Sequence, residues 1–348
     1  MRQPRIHVIG AGLSGLTAAL RLAEAGRFEI VLHERRAEPG GRRRAFYDPA
    51  DGAYVDSCNV VVWPHWQSTR RLIRAAGAES EWREGERAIT FVDMASGERW
   101  RLTPGVWPWG ALQSKRRAPG LGFADYFRAA RFARAPERLK SPIPGPAKER
   151  LWRPLALAAL NREPAGAAAD LLAATLREAL AAPDLAPLLP TRDFRHALLL
   201  PLVQQLTKHG VALRFERRLQ ALRFVRQRVA ALEFEHDSVE LQGRDAVVLA
   251  VPPWVAAPLL PGLLTPDEFT ATITAHFETP PLPHTPDVTV VLNGPMHAIF
   301  RRPEGLSVSV RDAGFDLATP KEALAAKYWA ATAAISGLSD ALPAWRVI

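Results

Sequence analysis

Gly10, Gly12 and Gly15 follow the short apolar run Arg5–Ile9 (RIHVI) in a Gly-x-Gly-x-x-Gly spacing. Such a spacing brings backbone amides onto a pyrophosphate. Gly10 makes the tight turn, Gly12 lets the backbone approach the phosphates, and Gly15 lets the next helix pack closely on the strand. A helix from about Ser14 to Ala25, stopped by Gly26, would aim its free N–H groups and positive dipole end at those phosphates. The strand Glu29–His33 comes next. Glu34 ends it, 24 residues after Gly10, where a carboxylate accepts hydrogen bonds from ribose hydroxyls. Strand, helix and acid in register set this segment apart from an ordinary glycine-rich turn. Gly40-Gly41-Arg42 adds a second close backbone approach and a guanidinium for a pyrophosphate oxygen. On these residues alone the dinucleotide is either a nicotinamide or a flavin.

Elements further along must complete the sheet that carries this turn. Strand-like runs stand at Ala88–Val92, Ala212–Phe215, Val229–Phe234 and Asp245–Val251, and helical runs at Trp152–Leu160, Ala168–Ala181 and Leu198–His209. The apolar run Ala246–Val251 is expected to be buried on both faces. A strand pair is expected around Asp287–Leu292 and Ser307–Arg311, followed by a last helix from about Pro320. With 348 residues, two domains or one large domain with insertions are expected. The 48% hydrophobic and 23% charged composition excludes a disordered chain. Cys58 is the single cysteine, which excludes a disulfide framework and fits a reducing cytosol. No signal segment or spanning run is visible. The nine histidines show no metal-ligand spacing, and Ser14 does not sit in a nucleophile elbow. Cys58 reads better as a small core residue than as a nucleophile, and Trp152 as core.

The charge is uneven. Lys+Arg number 45 against 36 acids, and the window 115–153 holds eleven of the bases with three acids, a net +8 of the total +9. Arg128, Arg131, Arg134 and Arg138 recur at helical spacing, with Phe123, Phe127 and Ala130 on another face. A solvated helix and an interfacial helix on anionic lipid both fit this pattern, with Trp107 and Trp109 as further anchors. No nucleic-acid-binding motif accompanies the charge, so nucleic acid is not expected as a partner.

The runs Gly10–Leu16 (GAGLSGL) and Glu34–Arg42 (ERRAEPGGR) resemble the amino end of the flavin amine oxidase and phytoene desaturase superfamily. Leu151–Asn161 (LWRPLALAALN) is similar to the middle signature of the squalene-associated FAD-dependent desaturase-like enzymes, the hydroxysqualene dehydroxylases of hopanoid synthesis. Asp245–Trp254 resembles their strand returning to the FAD domain. Ala275-His276-Phe277 and Leu306–Val310 resemble strands of their substrate-domain sheet.

The resemblance implies an α/β fold, with a Rossmann-like FAD-binding domain of the glutathione-reductase type and an inserted substrate domain of mixed sheet plus helices. The FAD domain is expected over 1–78 and 198–258, and the substrate domain over 79–197 and 259–348. FAD is the implied cofactor, held by Gly10, Ala11, Gly12, Ser14, Gly15, Glu34, Arg35, Gly41 and Arg42, with Leu219 beside the adenine. The implied reaction is reductive dehydroxylation of hydroxysqualene to squalene, with a carotenoid-desaturase-like enzyme as the alternative. The substrate would be an apolar C30 isoprenoid reached from an anionic membrane surface, placing the protein at the inner face of the cytoplasmic membrane. Asn59 and His276 are the candidates for a catalytic role. The family pattern carries a histidine where this chain has Val60. It also closes with a Gly-Asp-Trp strand and a helix, whereas this chain has no Gly-Asp dipeptide and stops at Ile348. The expectation is therefore a polypeptide that binds FAD poorly as given, or a non-catalytic fragment.

Overall fold

The computed structural model describes residues 3–49, 52–103, 117–136, 147–166, 168–181, 186–280 and 282–348. Within it the chain divides into two units, each assembled from three separated segments. The first is Met1–Ser57, Ser68–Trp82 and Pro190–Phe269, and the second is Cys58–Gln67, Arg83–Leu189 and Thr270–Ile348. Cys58–Gln67 lies in the second unit, where Val62 bridges Leu188.

The first unit is built on a four-stranded parallel sheet. Arg5–Ile9 lies at its centre, between Ala246–Leu249 and Glu29–His33, and Ala212–Arg214 is the outer strand beyond. Arg5–Ile9 and Glu29–His33 are apolar and almost wholly buried, as interior parallel strands require. The helix Leu13–Glu24 returns from the first strand, and Leu200–Lys208 packs against it. A second, antiparallel sheet of Leu219–Val225, Arg228–Phe234 and Ser238–Glu240 sets Leu232 and Phe234 in a small core with Ile9. The strand Ala246–Leu249 is not buried on both faces. It is the other outer strand of the parallel sheet, with Ala246 exposed and the next three residues half-buried. Its apolar run serves one face, where Val247, Leu249 and Val251 join the Leu232–Phe234 core.

The second unit carries a seven-stranded sheet in the order Trp345–Val347, Thr272–Glu278, Gly305–Arg311, Ala298–Arg302, Val288–Leu292, Ile89–Asp93, Arg99–Leu102. The expected pair at 287–292 and 307–311 is separated by Ala298–Arg302, so the strands are second neighbours. The helix Lys321–Ser336 covers one face through Leu324, Tyr328 and Trp329. At the far end of the other face Phe91, Trp100 and Leu292 pack under the helices Phe123–Arg134, Arg153–Leu160 and Ala169–Ala181. Trp152 is core there, edge-on to Phe132 at 4.8 Å.

The helix Phe123–Arg134 buries Tyr126, Ala129, Phe132 and Ala133. Phe123 and Phe127 are not on that face. They are exposed, Phe127 to 54%, and stack on each other at 6.4 Å. Arg131 and Arg134 are exposed as well, and at 100° per residue all four fall on one outward stripe. Arg128 is half-buried and paired with Asp125. Trp107, Trp109, Lys115, Arg116, Arg138 and Lys140 lie outside the described residues. Among the described residues no helix is long and apolar enough to cross a membrane.

Candidate functional site

The turn after the first strand is fixed by backbone geometry. Gly10 has φ +102°, and a Cβ there would lie 2.7 Å from the Ala250 carbonyl oxygen. A Cβ on Gly15 would lie 1.8 Å from the Gly10 oxygen, so the helix sits against the strand only because that atom is missing. Gly12 is half-exposed, and an added Cβ would meet nothing nearer than Gly41 Cα at 3.8 Å. The Gly12–Gly40 bridge and the Gly40 amide, which donates to the Ala11 carbonyl at 2.8 Å, bring the two glycine segments side by side. No side chain caps the first turn of the helix. Its N-terminal amides therefore meet the requirement for holding a dinucleotide pyrophosphate, and the glycine cradle leaves the space.

Glu34 is 7% exposed, and its carboxylate is already at work within the chain. Its Oε2 accepts the Ala11 N–H at 2.8 Å and its Oε1 accepts the Arg36 N–H at 3.0 Å. The main chain of Glu34 is held too, its N–H donating to Arg214 and its carbonyl accepting from Arg217. Below it His33 stacks on His7, with Nε2 of one 3.0 Å from Nδ1 of the other. Burial pushes His7 down to about 4 and His33 down to about 3, with Arg5 adding to the first and His7 to the second.

The remaining residues assigned to FAD lie around this turn. Ala11 is buried inside it, and Ser14 is exposed on the first helical turn. Arg35 and Arg42 are exposed, and the Arg42 guanidinium stands 5.9 Å over the Trp254 ring. Leu219 opens the antiparallel sheet and packs, half-buried, on the Leu232–Phe234 core.

In the second unit the structure brings Asn59 and His276 to one sheet face. Asn59 Nδ2 donates to Ser309 Oγ at 3.0 Å, while His276, on the neighbouring strand, pairs with Ser307 two residues away. Arg302 donates to His276 Nδ1 at 2.8 Å. A guanidinium only donates, so Nδ1 is the acceptor and the neutral ring carries its proton on Nε2. Val60, at the position of the family histidine, is buried. Ser307, Ser309, Thr274 and Arg302 were not singled out by sequence reasoning. The signal available was the period-2 polar set in Thr272–Glu278 (TITAHFE) and Gly305–Arg311 (GLSVSVR), whose apolar alternates fill the core.

Two further arrangements hold this sheet in place. Asn161 ends the signature helix in a left-handed conformation, donates to Thr270 Oγ1 and the Ala271 carbonyl, and accepts the Asp312 N–H. Asp287 accepts from Arg83, Arg301 and the Glu86 amide. Burial alone would raise its carboxyl, but the Arg83 and Glu86 hydrogen bonds and the Arg83 charge hold it below the ordinary 3.8. His297 is pushed down to about 4 by burial and then by the Arg153 charge.

A parallel sheet with a glycine turn, a buried acid after the second strand and a separate large sheet define a dinucleotide-dependent oxidoreductase fold. Residues 13–314 match the family described as flavin containing amine oxidoreductase. The chain is 38% identical to the hydroxysqualene dehydroxylase of Rhodopseudomonas palustris, over 99% of this chain and 84% of that one. It is 35% identical to the hydroxysqualene dehydroxylase of Sinorhizobium fredii with the same coverage. Among solved structures it is similar to the cyclohexylamine oxidase of Brevibacterium oxydans, with a TM-score of 0.70 and 14% identity over 100% of this chain and 84% of that one. The chain belongs to the flavin-containing amine oxidoreductase family. It is a flavin-dependent oxidoreductase, and FAD is its cofactor.

Proposed function

We propose that this chain is a hydroxysqualene dehydroxylase, converting hydroxysqualene to squalene. The observation that carries the reading is its likeness over nearly its whole length to relatives with that activity in their names. Gly10, Gly12 and Gly15 form the dinucleotide turn, with Ala11 and Ser14 at the helix N-terminus. Glu34 and Arg35 take the adenosine end, Gly41 and Arg42 the pyrophosphate, and Leu219 the adenine. Bound and reduced, FAD supplies the hydride. The C–O bond of the alcohol breaks, and the hydroxyl departs as water after gaining a proton. The chain's own part is to hold the alcohol and keep water away from the reacting carbon. In this reading Asn59 and His276 are the residues that act on the hydroxyl.

A substrate this apolar reaches the enzyme from lipid. The outward stripe of Phe123, Phe127, Arg131 and Arg134 pairs aromatic side chains that enter the headgroup region with guanidiniums that meet anionic phosphates. We place the protein at the inner face of the cytoplasmic membrane on this ground.

The test is product analysis. With reduced FAD and hydroxysqualene in detergent, squalene is expected. Conversion of phytoene, with hydroxysqualene left untouched, would assign the carotenoid-desaturase reaction instead.

A further inference from the structure

The seven-stranded sheet is apolar over one face and over only part of the other. On the strands Thr272–Glu278 and Gly305–Arg311, Ile273, Ala275, Phe277, Leu306, Val308 and Val310 point to the core under the helix Lys321–Ser336. Alternation sends Thr274, His276, Ser307 and Ser309 to the opposite face. The pairing register makes Thr274 the direct neighbour of Ser309, and His276 the neighbour of Ser307. This polar patch is not a solvated one. Ser307 is 0% exposed and Thr274 is 1% exposed.

Burial of a hydroxyl is tolerated when it is paired, and two of these are not. Ser307 Oγ and Thr274 Oγ1 are buried with no hydrogen-bond partner among the described residues. The two beside them are engaged, Ser309 by Asn59 and His276 by Arg302. Valine or alanine at 274 and 307 would satisfy the strand and leave no polar atom stranded. A pair of buried hydroxyls that costs stability and makes no hydrogen bond among the described residues is the mark of a site completed by a ligand. Diagonal partners on an antiparallel pair stand about 7 Å apart or less at Cβ, a gap that one bridging hydroxyl group closes. An alcohol both donates and accepts, and so matches two serine-type hydroxyls with the same double capacity.

We propose that Thr274 and Ser307 are positioning residues that hold the hydroxyl of the substrate alcohol, with Asn59–Ser309 and His276 forming the rim. The assignment rests on the reading of the substrate as an isoprenoid alcohol. It adds which side chains distinguish that alcohol from its deoxygenated product.

The experiment uses the FAD-loaded enzyme and the variants Thr274→Val, Thr274→Ser and Ser307→Ala, with thermal unfolding, steady-state kinetics and competition by squalene. Thr274→Val and Ser307→Ala are expected to unfold at the same temperature as wild type or higher. They are expected to lose about three- to tenfold in kcat/KM for hydroxysqualene. Squalene inhibition is expected to stay unchanged, because squalene has no hydroxyl to lose. Thr274→Ser keeps the hydroxyl and is expected to restore kcat/KM. Wild-type kcat/KM in both hydroxyl-free variants overturns the assignment, and so does an equal loss of affinity for alcohol and squalene. A wild-type enzyme that binds the alcohol more tightly than squalene but does not convert it would overturn the reaction reading and leave the hydroxyl site standing.

Discussion

Replacing Glu34 with glutamine keeps the size and one acceptor of the side chain while removing its charge. In the native turn each carboxylate oxygen takes one backbone N–H, from Ala11 and from Arg36. Glutamine satisfies one of them and turns an NH2 toward the other, so one charge-assisted bond is lost and two donors face each other. A hydrogen bond to a charged group contributes about 1.5–3 kcal/mol. The loss should appear in the protein without FAD, as a fall in melting temperature of about 2–4 °C per kcal/mol. FAD binding should weaken as well, by about 10- to 100-fold if the same loss is felt in the ribose contact and in the organisation of the turn. Differential scanning fluorimetry of the flavin-free protein and a flavin titration measure the two effects separately. If the flavin-free melting temperature of Glu34→Gln equals that of wild type, the two amide contacts do not organise the turn and the reasoning fails.

Gly15→Ala places a methyl 1.8 Å from the Gly10 oxygen, so the helix must move off the strand; loss of flavin absorbance from the purified protein is expected, and full flavin content would contradict it. His7 and His33 have folded values of about 4 and about 3, below the ordinary 6.5. The unfolded chain therefore binds more protons as pH falls below 6.5, so stability is complete above that pH and is lost progressively toward 4. A His7→Leu/His33→Phe variant should flatten the denaturation midpoint over this window, and an unchanged slope would count against the assignment. Arg131→Glu/Arg134→Glu and Phe127→Ser should each reduce sedimentation with anionic liposomes, the first in a salt-sensitive manner. Equal binding of wild type to neutral and anionic vesicles would remove the electrostatic part of the docking argument.

The dinucleotide turn was legible because its chemistry is local. Strand, glycines, helix and acid lie within Arg5–Glu34, and the observed strands Arg5–Ile9 and Glu29–His33 coincide with the expected ones. What Glu34 does within its own chain was not legible, since the Ala11 and Arg36 contacts depend on how the turn folds back. The apolar run Ala246–Val251 predicts burial on both faces, yet Ala246–Leu249 is an outer strand, because an apolar run states only that something covers it, not whether it is central or outermost. The spacing puts Phe123 and Phe127 on another face from the arginines, yet they share the outward stripe with Arg131 and Arg134. The face that faces the core is chosen by Tyr126, Ala129, Phe132 and Ala133. The Thr274–Ser307 pair was hidden because it spans strands that meet only through long-range pairing.

The three-segment construction of each unit sets the order of events during synthesis. The first strand pairs with Ala246–Leu249, Ile6 standing opposite Ala246, so one side of that strand waits 240 residues for its neighbour. At about 5–20 residues per second this is a delay of about 12–48 s during which an apolar strand has an open edge on the ribosome. The second unit has the same character, since Thr90 pairs with Thr289. Contacts so distant along the chain make for slow closure and a long-lived, aggregation-prone nascent state. Yield in a heterologous host should therefore respond more to growth temperature and to chaperone supply than to stabilising substitutions in the finished fold.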